Sequence, residues 1–226
     1  MFLLACPKDA VPSPGQYTLA VDEHSVLGIP LFNAGGWEDG FIAIPSRLRN
    51  WAPGSKLLLY GPQGQGFMVP EKGSHLVLIT LGGSFCCLWP LASAWLKAGR
   101  LATLFSDTAF SDLPPALEVS PLTDLKDTLG WADFIAAVLP ADRVGDLLGL
   151  IGDPGGGFQV LQGQVLVLIA MPCARLAECG ICAVPLRLPK RGGRTIRTQR
   201  TWKLACTDGP VFELRAVLAG AERRIA

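Results

Sequence analysis

Residues 75–96 run His75-Leu76-Val77-Leu78-Ile79-Thr80-Leu81-Gly82-Gly83-Ser84-Phe85-Cys86-Cys87-Leu88-Trp89-Pro90-Leu91-Ala92-Ser93-Ala94-Trp95-Leu96, with no Asp, Glu, Lys or Arg in 22 residues. A run of that length and polarity meets the rule for a membrane-spanning helix, but its interior punctuation argues otherwise. The strand-like block Leu76 to Ile79 is broken by Gly82-Gly83-Ser84, and Pro90 stands near the start of the second apolar block. Such residues mark a turn between a buried strand, His75 to Thr80, and a helix, Leu88 to Ala98.

Outward from this stretch the same rhythm repeats. Leu101 to Ser106 reads as a second strand, Leu122 to Leu129 as helical, Asp133 to Leu139 as a third strand, and Ala141 to Ile151 as a helix with Asp142 and Asp146 outward. Alternating strand and helix imply a parallel sheet, here from Phe67 to about Phe158. Gly155-Gly156-Gly157 is a joint, and periodicity leaves Gln159 to Ala170 as either a strand or a buried helix. The first 66 residues read differently. Turn residues precede each of the short runs Tyr17 to Val21, Phe41 to Ile44 and Lys56 to Tyr60, the pattern of a small antiparallel β unit that Gly61-Pro62-Gln63-Gly64-Gln65-Gly66 closes.

Composition agrees. Of 226 residues, 50% are hydrophobic and 17% charged, which excludes a disordered chain, and 26 glycines with 18 prolines are too many for a helical bundle. A formal net charge of +1 gives the chain as a whole no nucleic-acid-binding signature. Leu3-Leu4-Ala5-Cys6 lacks the charged and apolar flanks of an export signal, so a reducing, cytoplasmic setting is expected.

There, cysteines at regular spacing are metal ligands or catalytic groups more often than disulfides. Of seven, Cys6 stands apart, and Cys86 and Cys87 sit in the apolar run as small hydrophobes. The informative four are Cys173, Cys179, Cys182 and Cys206. Cys179-Gly180-Ile181-Cys182 turns two sulfurs to one side. Five residues separate Cys173 from Cys179, and 23 separate Cys182 from Cys206. The set is one residue longer in its first gap than the plant-type 2Fe-2S spacing. A four-thiolate zinc site and unliganded thiols remain alternatives, although zinc sites usually show two such knuckles. Between the last two cysteines lie Arg187, Lys190, Arg191, Arg194, Arg197, Arg200 and Lys203 with no acid among them; the other 13 basic residues face 19 acids. The stretch reads as a solvated hairpin, or as a cationic patch that favours a reduced cluster or an acidic partner.

Met171-Pro172-Cys173, Cys179 to Pro185 and above all Cys206-Thr207-Asp208-Gly209-Pro210-Val211-Phe212 resemble the tail of the electron-transfer subunit of NAD-linked dihydroorotate dehydrogenases. Pro14-Gly15-Gln16-Tyr17 and Gly61 to Phe67 resemble further motifs of that family. The resemblance implies a multi-domain α+β chain of the ferredoxin-reductase superfamily. Residues 1–66 would form a truncated flavin-binding-like, β-barrel-like domain, 67–158 an α/β NAD-binding-like domain, and 159–226 an iron-sulfur domain. It implies a 2Fe-2S cluster on Cys173, Cys179, Cys182 and Cys206, hydrogen-bonded by N–H groups around Gly180 and Gly209. FAD and NAD are the other implied cofactors. Electrons would pass to a redox partner protein or a catalytic dehydrogenase subunit.

The sequence departs from the family in three places. Only 43 residues lie between Tyr17 and Gly61. The flavin motif survives only as Gly28-Ile29-Pro30-Leu31-Phe32, without its Arg and Ser. After Gly82-Gly83, bulky residues replace a further glycine. The second expectation is therefore an assembly or regulatory subunit with a structural zinc. His24 and His75 lie in no catalytic pattern, no catalytic residue is assigned, and the six tryptophans read as packing anchors.

Overall fold

The computed structural model describes residues 1–25, 27–46, 50–82, 85–111, 113–152, 162–173, 175–189 and 198–221. Five strands make the first sheet: β1 (Phe2–Ala5), β2 (Tyr17–Val21), β3 (Ile29–Trp37), β4 (Gly40–Pro45) and β5 (Leu58–Gln63). All its pairings are antiparallel, in the order β1-β4-β3-β2-β5. β1 and β5 are its two edges, so the described strands form an open sheet where a barrel-like unit was expected. Ala20, Ile29, Leu31, Phe41 and Ala43 give this sheet a small core of its own. Tyr17, Leu19 and Phe32 instead join the main core.

The apolar run that suggested a strand, a turn and a helix is built that way. β6 (His75–Thr80) is buried throughout and α1 (Trp89–Lys97) follows a short 3-10 turn. No helix among the described residues is long and apolar enough to cross a membrane. β7 (Leu101–Ser106), β8 (Glu118–Ser120), α2 (Leu125–Leu129), β9 (Phe134–Pro140) and α3 (Val144–Ile151) continue the alternation. β8, β7, β6 and β9 pair in parallel. Continuous apolar strands suit such a sheet, because its two faces are both covered.

Two further strands come from beyond residue 158. β10 (Gly163–Leu168) pairs in parallel with β9, with Val165 opposite Ala137. β13 (Val211–Glu213) adds the antiparallel edge, with Phe212 opposite the same Val165. The six-stranded order is β13-β10-β9-β6-β7-β8. The tail therefore completes the second sheet as well as carrying the thiols. Its remainder is the hairpin β11 (Ala183–Pro189) and β12 (Thr198–Leu204), against which α4 (Leu214–Ala221) packs. Lys190, Arg191, Arg194 and Arg197 of the basic stretch, and the Gly155–Gly157 joint, lie outside the described residues.

The three glycine-rich segments that carry the family resemblance meet in space. Gln16 Nε2 donates to the Gly64 carbonyl at 3.1 Å, and the Phe67 N–H to the Pro14 carbonyl at 2.9 Å. The Gln65 N–H donates to the Gly209 carbonyl at 2.6 Å, beside the bridge between Gln65 and Pro210. Gly64 holds φ of +78°, and a Cβ there would lie 2.5 Å from the Gly209 oxygen. Replacing Gly64 with Ala therefore combines strain with a backbone collision and is expected to cost about 1–3 kcal/mol. Urea unfolding measures this, and an unchanged midpoint would dissociate the two segments.

At the amino ends of the same strands His75 is buried and stacked on Trp131, with ring centroids 3.9 Å apart. Thr103 Oγ1 donates to Glu118 Oε2 at 3.0 Å, so it accepts from His75 Nε2–H at 2.8 Å. Nδ1 is then the bare nitrogen, buried without a partner. Burial lowers the His75 pKa, against the opposing pull of Glu118 and Asp133. The unfolded chain thus takes up this proton first. Stability is expected to fall as pH drops below about 6.5, and to stop falling on this account once the folded-state pKa is passed. Denaturant midpoints across that range test this, and in His75→Asn this part of the slope should vanish.

Candidate metal centre

Cys173 lies in the turn that follows β10, Cys182 immediately precedes β11, and Cys206 lies in the turn that follows β12. The hairpin explains how 23 intervening residues cost the site nothing in reach. Ala183 is opposite Leu204, and one step further out the Ala205 N–H donates to the Cys182 carbonyl at 2.9 Å. Cys182 and Cys206 are both buried and belong to the main core. Asp208 fixes the second turn, accepting from the Leu204 N–H at 2.9 Å and from Lys203 Nζ at 3.0 Å.

The loop between Cys173 and Cys182 bends through left-handed backbone. Arg175 and Ala177 have φ of 76° and 61°, which non-glycine residues adopt at a cost, and Gly180 follows at 65°. The N–H groups of Ala177, Glu178 and Cys179 converge on the Cys173 sulfur, as does the Cys179 side chain. Successive N–H groups of this kind form an anion-binding nest, as many iron-sulfur sites use. The donors expected around Gly180 and Gly209 are thus one to three residues earlier in the first case. The Gly209 carbonyl accepts from the Gln65 N–H.

Electrostatics join all four thiols. Some burial opposes ionisation of Cys173, but the Cys179 side chain and the nest outweigh it, and its thiol is drawn down to about 7. Cys206 is pushed up to about 12, first by burial and then by Cys182 and Cys173. The contacts form the series Cys179–Cys173–Cys206–Cys182. Among the described residues no group of three or more His, Cys, Asp or Glu side chains is arranged to hold a metal ion. The sulfurs associate pair by pair.

Tyr17 was not singled out from the sequence. Its hydroxyl donates to the Cys206 carbonyl at 2.7 Å from 189 residues away. Burial, and after it Cys206, pushes its pKa up to about 12, with Arg175 opposing, so it stays a donor. The family-like Pro-Gly-Gln-Tyr run was the available signal. The remaining cysteines are elsewhere: Cys6 is half-buried beside the first sheet's core, and burial pushes Cys87 up to about 12.

The donor types suit a thiolate-bound iron-sulfur group: four cysteines linked in series, two of them buried, and a nest on one sulfur. A cavity of about 500 Å³ between the sheets is lined by groups such as Phe32, Ile44, Cys86, Pro140 and Ile169, with Ser46 as its hydroxyl. No described lining side chain is charged, and the Met1 amino terminus borders the cavity. In the turn after β6 the Gly82 N–H donates to the Asp107 carboxylate.

No protein-family model matches the sequence, and no curated protein is similar to it. Solved structures do share its architecture. An NADH-dependent reduced ferredoxin-NADP oxidoreductase, studied for flavin-based electron bifurcation, aligns over 96% of this chain and 85% of its own, with 22% identity and a TM-score of 0.63. The fold is ferredoxin-reductase-like. An intact type IV self-sufficient cytochrome P450 monooxygenase aligns over 87% of this chain and 36% of its own, with 13% identity and a TM-score of 0.51. Within this reductase-like fold the thiol loop and hairpin sit between β10 and β13.

In metal-free, reduced protein the two extremes of this thiol series should react differently. Iodoacetamide at pH 7 is expected to modify Cys173, which is about half thiolate there, well before buried Cys206. Peptide mass spectrometry over time checks this, and equal rates would contradict the nest.

Proposed function

We propose that this chain is an electron-transfer protein that holds a 2Fe-2S cluster on Cys173, Cys179, Cys182 and Cys206. It relays electrons within a redox complex, like the electron-transfer subunit of the NAD-linked dihydroorotate dehydrogenases that its motifs resemble. The observation that carries this reading is the linked series of four thiols, assembled from two loops that a hairpin brings together.

When bound, such a cluster supplies one-electron chemistry. The chain's own residues set the conditions. The nest of Ala177, Glu178 and Cys179 N–H groups stabilises negative charge at Cys173, and Tyr17 orients the Cys206 backbone. Burial of Cys182 and Cys206 keeps water from one side of the site, while Cys179 is exposed and faces the side from which a partner approaches. The partner is a redox protein or a catalytic dehydrogenase subunit. The electron-transfer setting of the structural neighbour with an NADH-dependent ferredoxin-NADP reaction supports the reading.

Anaerobic purification, iron and sulfide analysis, and electron paramagnetic resonance after dithionite test it. A brown protein with a rhombic reduced signal is expected, and Cys206→Ser should remove most of that signal while Cys6→Ser leaves it intact. A colourless protein with stoichiometric zinc would overturn the relay in favour of a structural metal subunit.

A further inference from the structure

The strand order of the second sheet reverses at β6. The chain leaves it for β7 on one side and later takes up β9 on the other. In open α/β sheets such a reversal leaves a crevice beyond the carboxyl ends of the strands, where turn N–H groups receive the phosphates of a ligand. In this chain three groups at that place, the Gly82 N–H, Asp107 and Arg143, are committed to one another.

Gly82, two residues beyond β6, has φ of +77°. Its N–H is directed at the carboxylate of Asp107, just past β7, 3.0 Å from Oδ1 and 3.2 Å from Oδ2. From the turn after β9, Arg143 Nη1 lies 3.0 Å from Asp107 Oδ2, while its Nε pairs with Asp146. A Cβ on Gly82 would lie 3.3 Å from two ring atoms of Pro140, so that ring covers the glycine from the β9 side. The carboxyl ends of β6, β7 and β9 are thus tied together around an anion that the protein supplies itself. Desolvation opposes the charge on Asp107, but the Gly82 N–H and Arg143 hold its carboxyl below the usual range.

We propose that Asp107 is a built-in substitute for a nucleotide phosphate, and that with Arg143 it keeps this crevice closed to NAD(H) and NADP(H). An incoming diphosphate would bring like charge to an N–H and a guanidinium that are both already paired, and like charges at such spacing repel. The closure does not depend on the thiol site. Its consequence does rest on the proposed cluster: electrons reach this chain singly from a protein carrier and not as hydride.

Dinucleotide-binding folds also place an acid past the second strand, where it hydrogen-bonds a ribose hydroxyl. The two roles of Asp107 give opposite results. Calorimetric titration of the full chain with NADH, NADPH and ADP, the last as a minimal diphosphate, is expected to show no saturable binding in the wild type. Asp107→Ala should show saturable ADP binding where the wild type shows none, through loss of the like charge. Adding Arg143→Ala should reverse that gain. Asp107→Asn keeps the shape of the turn and an acceptor for Gly82, and should gain in the same direction by less. Saturable NADH or NADPH binding by the wild type, weakened in Asp107→Ala, would overturn the proposal and assign Asp107 to a ribose. Absence of any gain in both Asp107 variants would overturn it as well. A failed relay would appear only in the metal analysis and spectra, so the two failures are separable.

Discussion

The register of the β11–β12 hairpin is the constraint on which the site depends. With Ala183 opposite Leu204, the next inter-strand bond runs from the Ala205 N–H to the Cys182 carbonyl, and the turn that begins there brings the Cys206 side chain to that of Cys182. A slip of one residue would turn every side chain of one strand to the other face. The length of the intervening segment matters little, because loop-closure entropy grows only with the logarithm of length. Asp208 then prevents the turn from unwinding, since it holds both the Leu204 N–H and Lys203.

The hairpin is in turn inseparable from the rest of the molecule. β13 returns from the thiol turn to the edge of the six-stranded sheet, and α4 packs back onto β11. From the other side Tyr17 and Gly64 meet the same turn. Cys182 and Cys206 count among the buried residues of the main core. A metal group held there would therefore be coupled to the folding of the whole tail, because ligands on separate elements meet only in the folded state.

Charge is distributed to match. Arg187 and Arg200 are opposite each other across the hairpin, an arrangement of like charges that costs stability between bare neighbours. Arg200 lies over the half-exposed Trp202 ring at 5.2 Å, which spreads its charge over an aromatic face. Lys203 is held by Asp208. Elsewhere, at the carboxyl ends of β6 and β7, Asp107 is paired with Arg143.

Alternation of apolar strand and helix was legible from Phe67 onward because burial imposes its period on neighbouring residues: Leu101 to Ser106 and His75 to Thr80 carry their own boundaries. The Cys179-Gly180-Ile181-Cys182 spacing likewise placed two thiols close along the chain, and the Gly-Pro-rich motifs pointed to a reductase-like architecture. The sequence by itself determined these local matters, since each depends on residues within a turn or two of one another. Tertiary structure alone decided that β10 and β13 join the second sheet, that the first sheet stays open, and that the donors to Cys173 come from Ala177 to Cys179. It alone brought Tyr17 to Cys206 and Asp107 to Gly82. Those outcomes turn on which distant segments pack together, and a hydrophobic pattern reports that a residue is buried without reporting what buries it.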